Sequence, residues 1–430
     1  MKKRIQAVIA IMLILCMSLS GCGNATQETA AKTEAAADGE SAADTATETD
    51  DGVVRLTVWA EEANWDVLNK MIESFKQEHA GEAKFEITLV QNADAETKNV
   101  LLGDIYNGAD IFPIPDDQMS SLVAAGALAS VPNAEEVKAA NMEDAVAAAC
   151  VNDVLYAYPM TADNGYFMYY DKRYFTEEDL KTLDGMLTAA EAAGKKITMD
   201  WSSGWYLYAF FGGTGMEFGI NEDGVTNHCN WNRVDGSIKG TDVAEALLAI
   251  AAHPGFANMT DADFMAGVQD GSVIAGVSGV WNEVEVRKAW GDNYGAVKLP
   301  TYTCAGQQIQ MSSFKGYKMM GVNYYSAHKD WALKLADWFT NEQNQTLRFE
   351  ERSQGPSNKN AAASDTINQV PAIQAVIAQS EYGVLQRVGN SYWDATTEFG
   401  GIMAAGNPSG KDLQEIMDTM VAGITASTVQ

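Results

Sequence analysis

The chain has 430 residues, ten Trp, sixteen Tyr and a formal net charge of −29. That length is too great for one small domain, and two core-bearing units are the default. The charge argues against nucleic acid, anionic lipid or polyphosphate as a partner.

Met1-Lys-Lys-Arg4 is a basic start, and Ala7 to Leu19 is an apolar stretch too short for a permanent membrane span. It runs into Leu19-Ser20-Gly21-Cys22, which resembles the lipobox of bacterial lipoproteins. There the cysteine sulfur takes a diacylglyceryl group, whose burial in the bilayer anchors the protein. The resemblance makes Cys22 the lipidation site; an ordinary secretory signal with an incidental cysteine is the alternative. Residues 23–52 are Ala, Thr, Glu, Asp and Ser with almost no large apolar side chain. Such a segment buries too little to offset its ordering entropy and reads as an acidic tether.

Val53 to Trp59 alternates, with Val54, Leu56 and Val58 on one side. Trp65, Leu68, Ile72 and Phe75 recur at helical spacing, and Phe85, Ile87 and Leu89 alternate again. This is βαβ, which implies parallel strands and an α/β domain. Ala109 to Phe112 predicts a third strand, followed by a helix over 118–125 with Gly126 at its end. In Val154 to Lys172, two strand-like runs flank Pro159 and Thr161-Ala-Asp-Asn-Gly165. Pro159 predicts the end of regular pairing, and 161–165 carries turn chemistry. The segment is either a crossing between two lobes or a hairpin within one sheet.

Trp205 to Phe211 reads as a helix. Thr260-Asp-Ala-Asp263 resembles a capping box, with Gly271 closing the helix. Val273 to Val277 is a strand, a helix starts at Gly279-Val-Trp281, and Leu299-Pro-Thr301 ends a further strand. Residues 312–322 are a second crossing segment. Helices follow over 329–349, 371–380, 392–405 and 409–424.

Three stretches carry a family resemblance: "RLTVWAEEANW", "GADIFPIPDDQMSSLVAAGAL" and "YAYPMTADNGYFMYYDK". In order and spacing they resemble the bacterial extracellular solute-binding proteins of the maltose-binding type, over about Val53 to Ile424. The resemblance implies an α/β, periplasmic-binding-protein-like fold (type II) with two α/β lobes joined by a hinge of crossover segments. It divides the chain into a lipoprotein signal peptide (1–22), a tether (23–52), an N-terminal lobe (53–162 and 318–365) and a C-terminal lobe (163–317 and 366–430). It also implies a monomer at the extracellular face of the bacterial cytoplasmic membrane, delivering an oligosaccharide to the permease subunits of an ABC transporter. Asp117-Gln118 stands where the family usually has Asp-Arg, and Ile114 stands where the maltose branch has Trp; both weaken a strict maltodextrin assignment.

A pyranose has an apolar face that stacks on indole and a rim of hydroxyls that need fixed polar partners. Glu61, Glu62, Asn64, Asp117, Gln118 and Asp163, all at strand ends or loops, are candidate partners. Trp205, Tyr206, Trp281 and Trp393 are candidate platforms. For an unselected Trp the alternative is core, which is the reading for Trp59 and Trp338. For Asp117 it is a helix N-cap, and both roles are compatible. The loops lack the Arg or Lys that a phosphate or carboxylate ligand would need. No catalytic residue, cofactor or metal site is expected. The four His are scattered, Cys150, Cys229 and Cys304 form no ligand motif, and Phe211 to Gly219 reads as a turn rather than a phosphate loop. A secreted glycoside hydrolase and a binder of another small solute remain the alternatives. The hydrolase would also use aromatic platforms, together with paired carboxylates.

Overall fold

The structure is a computed structural model that describes residues 52–427, apart from one side chain at position 368. The expected signal peptide, the lipidation site Cys22 and nearly all of the tether lie outside the described residues.

The strands of the two main sheets are β1 (Val53–Ala60), β2 (Lys84–Gln91), β3 (Ile111–Pro115), β4 (Ala157–Gly165), β5 (Phe167–Asp171), β6 (Lys196–Met199), β7 (Phe256–Asn258), β8 (Val273–Ser278), β9 (Tyr294–Val297), β10 (Ser313–Val322) and β11 (Gly383–Leu385). The first sheet runs β11-β10-β3-β1-β2, with β4 also on β10; the second runs β7-β6-β8-β5-β9. β1 pairs in parallel with β2 and β3, as the alternating pattern requires. Its Val54, Leu56 and Val58 enter a core with Leu68, Met71, Ile72 and Phe75 of α1 (Trp65–Glu78). The second sheet is covered on both faces. Tyr166 and Met168 point into one core, while Phe167 and Tyr169 point into another. That is the period-2 alternation of a strand buried on both sides.

Five further helices pack around the two sheets: α2 (Gly204–Phe211), α3 (Asp261–Asp270), α4 (Glu283–Trp290), α5 (Lys329–Thr340) and α6 (Glu342–Arg352). α7 (Pro371–Ser380) and α8 (Ser391–Ala404) complete the set used below. Thr260 caps α3 through the Asp263 amide, and Gly271 closes it at φ 77°.

Several expectations change. β4 does not stop at Pro159: it pairs antiparallel with β10 from Ala157 to Gly165, and 161–165 is strand rather than turn. The pairing register shifts twice along this stretch, one shift falling just after Pro159, so the missing N–H falls at an irregularity instead of breaking the ladder. The two crossing segments thus satisfy each other's backbone. The helix expected over 329–349 is two helices, α5 and α6, broken at Asn341, whose extended backbone and side chain cap α6. Leu299 and Pro300 lie between two strands instead of ending one. Asp117 is not an N-cap: it lies in a 3-10 turn, Asp116–Gln118, that has no side-chain cap. Cys150, Cys229 and Cys304 are free thiols. Among the described residues, no group of three or more His, Cys, Asp or Glu could hold a metal ion, and no helix is long and apolar enough to cross a membrane.

Candidate functional site

The carboxyl ends of β1 and β3 deliver Glu61 and Asp116-Asp117; those of β6 and β8 deliver Trp205 and Trp281 from the other sheet. Ligands of open α/β sheets bind at such ends. Between them runs the β4–β10 ribbon, which contributes Asp163 and Lys318.

The aromatic wall comes from the second sheet. The Trp205 and Trp281 rings lie 5.8 Å apart at 38°. Tyr166 and Tyr206 flank Trp205 at 4.7 and 5.2 Å. Both indoles are fixed by their N–H groups. Trp205 Nε1 donates to Gln386 Oε1 (3.0 Å), and Trp281 Nε1 donates to Asp261 Oδ2 (3.1 Å). Asp261 is itself held by Ser278 and Asn282. Trp205 and Trp281 remain only partly buried, whereas Trp201 and Trp231 are fully enclosed in the core.

The polar wall comes from the first sheet and the crossing ribbon. Lys318 Nζ donates to Asp94 Oδ2 (2.8 Å) and lies 5.6 Å from the centre of the Trp281 ring. Burial opposes the lysine charge, but Asp94, Glu61 and Asp163 outweigh it and hold the pKa above the ordinary value. Burial, reinforced by Asp94, raises Glu61. Asp163 accepts a short hydrogen bond from the Gly355 amide, and burial still pushes it up to about 6. Asp116 packs against the ribbon so closely that a Cβ on Gly316 would stand 2.4 Å from its Oδ1. Burial and the neighbouring Asp117 push Asp116 up to about 8, and burial pushes Asp117 up to about 6. Asn64 accepts from Gln354 at 3.4 Å. Asp94 Oδ1, Asp116 Oδ2, Asp117 Oδ1 and Arg348 Nε and Nη2 are buried with no hydrogen-bond partner among the described residues. Such atoms are costly unless something meets them.

A family profile described as "Bacterial extracellular solute-binding protein" matches residues 70–375. The chain belongs to that family. A galactooligosaccharide-binding protein of Bacillus subtilis (strain 168) is 26% identical over 341 residues, 76% of this chain and 78% of that one. A solved structure described as "with acarbose" is 29% identical, with a TM-score of 0.77 over 87% of this chain and 99% of that one. A maltodextrin-binding protein from L. casei, without ligand, superposes at TM-score 0.71 with 22% identity, over 87% of this chain and 100% of the other. The fold is thus the periplasmic-binding-protein fold, and its two sheets are the centres of two lobes. The family is one of binding proteins rather than enzymes.

In this solute-binding protein the predicted site residues divide. Glu61, Asn64, Asp117, Asp163, Trp205, Tyr206 and Trp281 lie near one another or share neighbours where the strand ends of the two sheets approach. Trp393 packs beside them on α8, with its ring 6.3 Å from Phe314 and its carbonyl near Gly204 at the start of α2. Glu62 does not join: its side chain is exposed and only its amide is engaged, with Gln91. Gln118 is spent on structure. It accepts from the Lys98 amide and donates to the carbonyls of Asp94 and Ala95.

The candidate loops themselves carry no Arg or Lys, but cations come close to them from β10 and α6. Lys318 and Arg352 lie beside Trp281, paired with Asp94 and Glu285, acids remote in sequence, whereas Arg348 is buried with Nε and Nη2 unpaired and burial pushes its pKa down to about 10. Sequence reasoning also missed Asp94, Asp261 and Gln386. Asp261 sat unremarked within the capping box, next to the cap itself. Lys318 had a signal of its own: a lysine in mid-strand, beside Met319-Met320, inside a segment already read as a crossing.

Proposed function

We propose that this protein captures a neutral oligosaccharide between its lobes, of malto-oligosaccharide or other α-glucan type first, with galacto-oligosaccharides close behind. One observation carries the reading: two partly exposed indoles, each pinned by its N–H, stand together beside Lys318 and the carboxyl groups around it. Stacked apolar faces and a rim of donors and acceptors are what a pyranose presents. The cations do not favour an anionic ligand, because Asp94, Glu61 and Asp163 already surround Lys318. The relative with acarbose and the galactooligosaccharide-binding relative support an oligosaccharide over a small ion or amino acid. Lobe closure is then a population shift toward the form with more solute contacts. The same reading divides the chain near residues 162, 317 and 365, with the β4–β10 ribbon as hinge.

The wider role is delivery to the permease subunits of an ABC importer by a monomer tethered through a lipid on Cys22 at the outer face of the cytoplasmic membrane. The lipobox-like Leu19-Ser20-Gly21-Cys22 supports the anchor. A Cys22→Ala chain should then be released into the medium instead of partitioning with membranes.

A thermal-shift panel of maltotriose, galactotriose, their monosaccharides and glucuronic acid tests the ligand class. The expected result is a rise in melting temperature with neutral oligosaccharides and no release of reducing ends on incubation. No shift with any glycan would remove the proposal, and turnover would restore the hydrolase.

A further inference from the structure

The cleft is spanned by one residue that composition and motif give no reason to notice. Arg352, at the end of α6, is buried at 9% exposure. Its helix packs on α1 and α5, Leu347 lies against the first core, and Lys70 of α1 pairs with Glu351. Its guanidinium crosses to the other lobe. Nη1 donates to Glu285 Oε1 on α4 (3.0 Å), and Nη2 donates to the Trp281 carbonyl (3.3 Å). α4 belongs to the second lobe, with Val286 and Trp290 in the core beside β5. Phe349, three residues earlier on α6, inserts into that same core. The helix therefore straddles the junction, apolar on one turn and ionic on the next.

The bond to Trp281 matters most. That residue is gripped at three points: its indole N–H by Asp261, its ring face by Lys318, and its carbonyl by Arg352. Two of the three grips come from the opposite lobe. A planar guanidinium is suited to this because it offers several donors in a fixed fork, so one side chain can hold a carboxylate and a carbonyl together.

We infer that Arg352 is a positioning residue: through Glu285 and the Trp281 carbonyl it ties the angle between the lobes to the placement of the Trp281 platform. It touches no solute itself. Opening the lobes breaks both bonds, so the bridge lowers the cost of the closed arrangement before any solute arrives. A solute that stacks on Trp281 finds the platform already set. The statement about the platform rests on the proposed sugar-binding role; the statement about the lobe angle does not.

Small-angle scattering of the full unliganded protein decides the second. Arg352→Ala and Glu285→Ala, each removing the bridge from one side, should both give a larger radius of gyration than wild type. Arg352→Lys, which keeps the charge but loses the fork, should fall between. Circular dichroism checks that each variant is folded. Identical scattering from wild type and both folded alanine variants would overturn the inference. A maltotriose titration then reads the first. Arg352→Ala should bind about tenfold more weakly, mainly through faster dissociation. Unchanged affinity and dissociation would remove the platform role. A wild type that ignores maltotriose would count against the proposed solute and leave the scattering to judge Arg352.

Discussion

Asp163 shows how the cleft balances burial against function. Its carboxyl accepts the Gly355 amide and stands near Lys318, yet burial still raises it to about 6. The folded state therefore holds the proton more firmly than the unfolded chain. The stability this carboxyl allows is fully present below the ordinary carboxylate pKa and is lost as pH rises through about 6. Asp163→Asn keeps an acceptor for Gly355 and removes the charge. It should melt a few degrees above wild type at pH 7.5, with the gain shrinking toward pH 4. A lower melting temperature at pH 7.5 would mean that the attraction of Lys318 outweighs burial. Lys318 poses the opposite case. Lys318→Met would leave Asp94, Glu61 and Asp163 buried without their cation, at a cost of about 3–5 kcal/mol in denaturant unfolding. Replacing Asp94 with Leu in the same chain should recover part of that loss. These two residues are 224 positions apart, and no local pattern joins them. Strand ends could be marked as polar from the sequence, but which charges would neutralise one another depends on the crossing ribbon bringing them together.

At the level of elements, the periodic ones were legible. Val54-Leu56-Val58 and Leu68-Ile72-Phe75 each state a buried face, and the structure buries those faces. Thr260 and Gly271 state the ends of α3, because a capping hydroxyl and a left-handed glycine have few other uses. What misled was punctuation whose meaning depends on a partner. Pro159 and the Asn-Gly pair at 164–165 read as a turn, but a second crossing strand lies alongside and takes up the irregularity. Asn341 lacked a glycine or proline to mark it and still splits α5 from α6. α8 illustrates how tightly the platform-bearing helices are set. A Cβ on Gly400 would stand 1.8 Å from the Trp201 carbonyl, and one on Gly204 would stand 2.0 Å from Thr396 Oγ1. Gly400→Ala must push α8, and Trp393 with it, away from α2. Overpacking of this kind costs about 1–3 kcal/mol. The variant should show a lower melting temperature and weaker oligosaccharide binding together; a stable variant with unaltered binding would show that α8 has no part in shaping the site.

Across the whole molecule, two sheets with separate cores are joined by a paired ribbon and bridged at their rims. Arg352 bridges one rim, and Lys98 Nζ, donating to Asn390 Oδ1 at 2.9 Å, bridges another. Apolar contacts join them too: Phe314 of β10 stacks on Tyr208 of α2 at 4.4 Å, and Phe349 of α6 enters the core beside β5. The two-lobed organisation was legible through the family resemblance, since the local pattern of 154–172 fitted a lobe crossing and a hairpin equally. The division of labour was not, since one lobe supplies the indoles and the other most of the charge. The measurement that bears most directly on the account is a tryptophan-emission titration with maltotriose and galactotriose, on wild type and on Trp281→Ala. The account predicts a saturable change in wild-type emission with at least one of these sugars, and a loss of affinity of tenfold or more in the variant, about 1.4 kcal/mol or greater. Sugar binding of equal strength in the two proteins would contradict it.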